Sequence, residues 1–237
     1  MKKKIIFILL LLGGVFVFTT KESEKKLTEI WAHRGGEGFF KSESNLQASI
    51  LKTKKWGWTG VELDCQYDSR KNKIYVSHKN LIQTNLENLP VLNDLHFPDD
   101  VPIWLDFKNL GDVKIKDLSK VKSLLKEVSK EHLLFLESQN FLKLKYLASK
   151  KIKTVFFLPI FFENTFFVYI LDFLTFFFQF DGISVPIGHF ELVKNIFLPE
   201  EIFVFTINSK FKICEILKNN SARVILSKIP PKHLHCM

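Results

Sequence analysis

Glu29 to Gly36 reads EIWAHRGG. A short apolar run climbs to a histidine and an arginine, then breaks on two glycines. The same grammar returns at Val61–Asp64 (VELD), Ile74–His78 (IYVSH) and Val101–Lys108 (VPIWLDFK). Each time a β-rich run ends by delivering charged or imidazole groups. Residues two apart on a strand share a face, so Glu62 and Asp64 point together, as do Asp106 and Lys108, and Trp31 with His33. Strands that end in chemistry predict a barrel whose site sits at the C-terminal strand ends.

Working outward, Glu43 to Trp56 reads as the first helix, with Ser42 as its N-cap and Gly57 and Gly60 closing it. The strand Gly60 to Gln66 follows. Asp68 to Asn72 is turn chemistry, and Lys73 to His78 is strand-like again. Too few residues separate these two runs for a crossover helix, so the second returns antiparallel as a hairpin and brings His78 back to Glu62 and Asp64. Beyond the polar stretch from His78 to Asp106, strand patterns lie near Leu133–Glu137, Lys153–Leu158, Gly182–Val185, Ile202–Thr206 and Arg223–Ser227. Helical patterns alternate with them, near Asp117–Ser129, Phe141–Lys150, Asn164–Phe178, His189–Ile196 and Lys210–Lys218. With the strands ending at His33, Gln66 and Phe107 the count is eight, the hairpin strand excluded. The fold class is therefore α/β, a (β/α)8 TIM-type barrel with a β-hairpin extension after the second strand. An open doubly wound sheet is disfavoured, because no Gly-rich phosphate turn follows the first strand.

The 237 residues suffice for one large domain, and 46% hydrophobic with 25% charged residues is a globular composition. Lys and Arg number 34 against 25 Asp and Glu, a net charge of +9. No dense basic cluster interleaves with aromatics, which argues against a nucleic-acid partner, while a modestly basic surface suits anionic phosphodiesters or lipid heads. Lys2 to Lys4 and the apolar run Ile5 to Phe18 form an n-region and h-region. This predicts an exported chain, residues 1–26 being leader and linker and 27–237 the barrel, with an uncleaved membrane tether as an option. A Phe-dense block, Phe156 to Phe180, reads as a helix packed on the barrel or as an aromatic surface dipping into a membrane interface. Cys65, Cys214 and Cys236 are far apart and odd in number, so no disulfide framework follows. Cys65 alternates away from the Glu62/Asp64 face and is expected between barrel and helices. His233, His235 and Cys236 read as a loose tail.

Glu62, Asp64 and Asp106 are three hard oxygen donors on neighbouring strands, a set suited to Mg²⁺ or Ca²⁺. His33 and His78 suit acid/base work, and Arg34 and Lys108 suit phosphate oxygens. Each residue alone has a bland structural reading; together at strand ends they are hard to keep without use. In order and spacing, His33-Arg34-Gly35, Glu43-Ser44-Asn45, Glu62-Leu63-Asp64, His78, Asp106-Phe107-Lys108 and Phe205-Thr206-Ile207-Asn208 resemble the glycerophosphodiester phosphodiesterases, over roughly Ile30 to Pro230. The resemblance implies metal-dependent hydrolysis of glycerophosphodiesters to glycerol 3-phosphate and an alcohol. It implies Glu62, Asp64 and Asp106 as metal ligands, His33 and His78 as the acid/base pair, Arg34 and Lys108 on the phosphate, and Glu43 in a supporting role. Lys79 stands where the family has Asp, Asp106 where it has Glu, and Ser227-Lys228 where it tends to Thr-Asp. Asp106 with Lys108 also resembles the sphingomyelinase D-like barrels. The alternatives are a lysophospholipase D or sphingomyelinase D-like enzyme at a membrane surface, or a catalytically dead tethered binding protein.

Overall fold

The computed structural model describes residues 27–36, 46–158, 175, 177–198 and 201–236. Its strands are β1 (Glu29–Ala32), β2 (Gly60–Asp68), β3 (Lys73–Val76), β4 (Ile103–Phe107), β5 (Leu134–Ser138), β6 (Ile152–Phe157), β7 (Gly182–Pro186), β8 (Ile202–Phe205) and β9 (Val224–Ser227). Among the described residues the helices are α1 (Leu46–Lys52), α2 (Leu118–Val128), α3 (Phe141–Leu147), α4 (Phe190–Val193) and α5 (Lys210–Asn219). The sheet order is β1-β9-β8-β7-β6-β5-β4-β2-β3, and β1 also pairs with β2. All pairings among the eight strands other than β3 are parallel, so those eight close into the expected (β/α)8 barrel.

The extra strand is the predicted hairpin. β3 runs antiparallel on β2 from Cys65↔Val76 to Asp68↔Lys73. Its turn is made by Asp68, whose side chain accepts the Arg70 N–H at 2.8 Å, and by Asn72 in the left-handed region at φ 51°. The polar stretch that follows is not structureless. It folds into three short 3₁₀ turns, Leu81–Gln83, Leu86–Asn88 and Leu92–Asp94, and the side chains of Asn80 and Asn85 cap the first two.

Strand parity sorts two cores. Val61, Leu63, Cys65 and Tyr67 of β2 belong to the layer between barrel and helices, where Cys65 is fully buried as its alternation predicts. Trp31, Trp104, Phe135, Val155, Phe203, Val224 and Leu226 fill the barrel itself. Their rings meet edge to face, Trp31 on Phe135 at 5.3 Å and Trp104 on Phe203 at 5.1 Å. Bulk in that plug demands its absence alongside: a Cβ on Gly60 would lie 2.3 Å from the Trp31 ring. The plug leaves the charged ends of β1, β2 and β4 no room below and presents them at the mouth.

Two local expectations change. The first helix is α1 followed by a separate 3₁₀ turn, Lys54–Trp56, closed by Gly57 at φ 89°, and α4 is four residues long. Ser42, Glu43, residues 1–26 and most of the Phe-dense block lie outside the described residues.

The tail also differs from expectation. No helix follows β9 among the described residues, and the chain instead runs on as an irregular segment with a 3₁₀ turn, Pro231–His233. Ile229 and Leu234 pack on the outer core, Pro231 lies against Gly57, and the His233 ring stands edge-on to Trp56 at 5.4 Å. Cys236 is disulfide-bonded to Cys214 on α5. Alternation and spacing could not find this bridge, because neither says that the irregular tail folds back on α5. Cys214→Ser should lower the unfolding free energy by about 3 kcal/mol, as expected for a loop of this length. Denaturant melts of the oxidised chain and the variant measure it, and equal midpoints would show that the bridge carries no stability.

Candidate active site

The HRGG turn after β1 begins the site. Arg34 (φ 50°, ψ 47°), Gly35 (φ 61°) and Gly36 (φ 87°) are all left-handed, which reverses the chain at the mouth. Glycine is required at 35, where a Cβ would meet Leu46 at 3.0 Å and Ile50 at 3.1 Å. Arg34 tolerates a conformation that costs a non-glycine residue on the order of 1 kcal/mol. The turn aims the Arg34 N–H at Glu62, whose Oε2 accepts it at 2.9 Å.

β2 and β4 supply the carboxylates. Their register sets Asp64 beside Asp106, with Glu62 beside Trp104 one layer below. One ligand oxygen from each of Glu62, Asp64 and Asp106 lies within 4.8 Å of the others. Asp64 is the hub. Arg34 Nε stands 2.8 Å and His78 Nδ1 3.2 Å from its Oδ2, and Lys108 Nζ stands 2.9 Å from its Oδ1. Lys108 also contacts Asp106. His33 Nε2 is 3.9 Å from Glu62 Oε2. The hairpin brings His78 in, as the Ser77 N–H bonds the Asp64 carbonyl at 2.9 Å. Lys79 serves here through its backbone: its carbonyl accepts from Gln66 Nε2 at 2.7 Å and from Ser77 Oγ at 2.8 Å, while its side chain is exposed.

Seven of the eight residues singled out in the sequence therefore meet at one mouth, and Glu43 lies outside the described residues. Arg34 and Lys108 reach it as partners of the carboxylates. A residue the sequence reading passed over is Glu137 at the end of β5. It pairs in register with Asp106, is buried, and accepts a hydrogen bond from Trp104 Nε1. A charge two residues past Phe135 on the barrel-facing side was the available signal.

Burial dominates the electrostatics. It pushes Glu62 up to about 8, with the Asp64 charge adding to it. It raises Asp106 against the pull of Lys108, and raises Glu137 well above the carboxylate range, with Asp106 adding to it. Burial opposes ionisation of Asp64 too, but Lys108, Arg34 and His78 hold that carboxyl below its usual value. His33 is lowered to about 4 by burial and then by Arg34 and Lys228. Glu62 is the informative group. Among the described residues its carboxylate has one backbone N–H and a distant imidazole, and no lysine or arginine within ion-pair reach. Three clustered hard oxygens, one of them buried without a cation, fit a divalent ion.

The sign of the pH dependence follows. Glu62 holds its proton in the folded chain between 4.5 and about 8, while the unfolded chain has released it. Stability of the metal-free protein therefore falls as pH rises through that window. His33 has the opposite sign, since its folded value of about 4 lies below its ordinary 6.5, and it offsets Glu62 only below pH 6.5. Between pH 6.5 and 8 chelated protein should lose on the order of 1 kcal/mol per pH unit through Glu62, and Glu62→Gln should reduce the slope to what Glu137, raised in the same sense, contributes. Thermal melts at stepped pH check this. A chelated wild type as stable at pH 8 as at pH 6.5 contradicts it.

No protein-family model matches the chain, and no curated protein matches it by sequence. Solved structures do. A glycerophosphodiester phosphodiesterase from Thermotoga maritima superposes with a TM-score of 0.63 at 18% identity, covering 85% of this chain and 94% of that one. A candidate glycerophosphodiester phosphodiesterase from Galdieria sulphuraria gives 0.63 at 16%, covering 86% and 95%. A mutant tryptophan synthase α-subunit from Pyrococcus furiosus gives 0.54 at 11%, covering 86% and 89%. At these identities the likeness is one of fold, and a barrel shared with a synthase subunit leaves the chemistry to be argued from the site.

Proposed function

We propose that the chain is a metal-dependent phosphoric diester hydrolase that cleaves glycerophosphodiesters to glycerol 3-phosphate and an alcohol. The observation that carries this reading is the cluster of Glu62, Asp64 and Asp106 oxygens within 4.8 Å, flanked by two histidines and two cations at the barrel mouth. The likeness in fold to a glycerophosphodiester phosphodiesterase supports it.

Glu62, Asp64 and Asp106 would hold Mg²⁺ or Ca²⁺, which supplies charge neutralisation and polarisation of the phosphate when bound. The chain's own residues do the rest. His33 is neutral at physiological pH, because burial and neighbouring cations disfavour its imidazolium, so it is the group suited to accept the proton of the attacking water. His78 has Nδ1 committed to Asp64, which orients the ring and leaves Nε2 to protonate the departing alcohol oxygen. Arg34 and Lys108, now on the carboxylates, are the cations available to the phosphate oxygens once an ion shares those carboxylates. One P–O bond forms at the nucleophile and one breaks at the alcohol, with the proton passed from one imidazole side to the other.

Export is part of the reading. Supporting it are the Lys2–Lys4 and Ile5–Phe18 leader pattern and the Cys214–Cys236 disulfide, a bond that persists in oxidising compartments. Among the described residues no helix is long and apolar enough to cross a membrane. The test is a release assay on a panel of glycerophosphodiesters and lysophospholipids with chelator, Mg²⁺ or Ca²⁺. Chelator should abolish hydrolysis and one of the ions restore it. Full activity in excess chelator would remove the metal, and no hydrolysis of any diester with either ion would remove the enzyme.

A further inference from the structure

The mouth carries a second pattern that hydrolysis does not use. Lys114-Ile115-Lys116 lies on the connection after β4, and Lys210-Phe211-Lys212 opens α5 after β8. All six side chains are exposed, Ile115 by 83% and Phe211 by 77%. Going round the closed barrel in its order, β4 and β8 are the third and seventh of eight strands, diametrically opposite. Two copies of one triplet, a large apolar tip between two lysines, therefore stand on opposite sides of the site. Ile82, just past His78, and Leu142, in the first turn of α3, add two further tips, 88% and 65% exposed.

The arrangement selects its partner. Ile82, Ile115 and Phe211 sit singly on three separate mouth connections, and only Leu142 has apolar company, beside Phe141 whose ring lies 5.1 Å from Phe178, whereas a folded protein partner is met by a contiguous packed core with a polar rim. Single apolar tips that project between cations suit a bilayer interface, where the tip enters the acyl boundary and the amines stay among the headgroups. The sign of the charge selects anionic lipid: Lys79 and Lys228 add to the four flanking lysines, against Asp112 and Glu191, the latter paired with Lys194. We propose that the mouth face docks on an anionic lipid surface through the Ile115 and Phe211 triplets, so that the scissile phosphodiester comes from a lipid headgroup in that surface. The docking stands on the exposed triplets alone; the substrate class rests on the phosphodiesterase reading.

The test uses the full chain, so that any contribution of residues 1–26 is common to every variant. Co-sedimentation is measured with vesicles of phosphatidylglycerol and phosphatidylcholine in equal parts, and with phosphatidylcholine alone. Ile115→Ser with Phe211→Ser should weaken binding to the anionic vesicles at least about tenfold, as should replacing the four flanking lysines by Gln. Leu27→Ser with Leu51→Ser, also apolar and exposed, by 80% and 52%, but away from the mouth, should leave binding unchanged. Double-triplet variants that bind like wild type overturn the proposal. So does equal loss in the Leu27/Leu51 control, or a wild-type chain that proves dimeric by light scattering and becomes monomeric in the variants with vesicle binding intact, which would make the partner a second copy of the chain. Binding without hydrolysis of any lipid would retain the docking and discard the lipid headgroup as substrate, and the phosphodiesterase would fall with it only if soluble diesters were untouched as well. Hydrolysis of soluble diesters without vesicle binding would retain the phosphodiesterase and discard the docking.

Discussion

Asp64→Asn should lower kcat/KM by about 10³-fold while leaving the barrel folded. The substitution keeps the side chain's volume and removes the charge on which Arg34, His78 and Lys108 converge. A weakened ion site accounts for about 10- to 100-fold, and a mis-set acid for a further factor of the usual general-acid scale, ~10² or more. The fold survives because the barrel is filled by Trp31, Trp104, Phe135 and their neighbours, a cluster to which Asp64 does not belong. Divalent-ion affinity, measured by calorimetry, should fall with activity. A variant within tenfold of wild type in both would mean that the hub of contacts is a structural ion-pair network and that the chemistry lies elsewhere.

His33→Ala should cost ~10²-fold or more in turnover at neutral pH, and the pH profile distinguishes its role from a structural one. A base must be unprotonated to act, and burial with Arg34 and Lys228 lowers His33 to about 4. With the ion saturating, its limb of the rate profile should therefore lie at or below pH 4, because a bound cation disfavours the imidazolium further, with no loss from this group between pH 7 and 5. Lys228→Gln removes one of the cations that depress His33 and should move that limb upward without abolishing turnover. If the limb stayed fixed in Lys228→Gln, or if His33→Ala turned over like wild type, His33 would not be the base. Lys228 belongs to the pair of residues, Ser227-Lys228, at which the chain departs from the pattern of the family it resembles, so this departure has a measurable consequence for the site.

Much of this was legible in the order of residues because parallel barrels write their chemistry at strand ends. Alternation alone put Glu62, Asp64 and Gln66 on one side of β2 and Cys65 on the other, and the short gap between Gln66 and Lys73 forced the hairpin that returns His78. What could not be read depends on contacts that only closure creates. Arg34 and Lys108 looked like groups waiting for phosphate, whereas with three carboxylates converging at the mouth they neutralise Asp64 and Asp106. Glu137 looked like the end of an ordinary strand until register placed it beside Asp106. The bridge from Cys214 to Cys236 joins a helix face to a tail that has no periodicity of its own. Ile115 and Phe211 read as isolated apolar residues in their local windows, and only the ring of strands sets them opposite one another.

The seam between β1 and β9 has a consequence for how the chain comes into being. Four residue pairs, from Glu29↔Val224 to Ala32↔Ser227, join the strand made first to the strand made last. On a translating ribosome or in a secretion channel, β1 therefore waits for nearly the whole sequence before its second neighbour exists. Until then the nascent sheet has two open edges, at β1 and β8, which are templates for misassembly. Closure is a late, non-local event of the kind that folds slowly. The Cys214–Cys236 bond ties α5 to the tail beyond β9, so it waits for the last strand to be made and then acts as a latch on the C-terminal end of the ring. Pulse-chase trapping of free thiols would time that latch against the appearance of protease resistance.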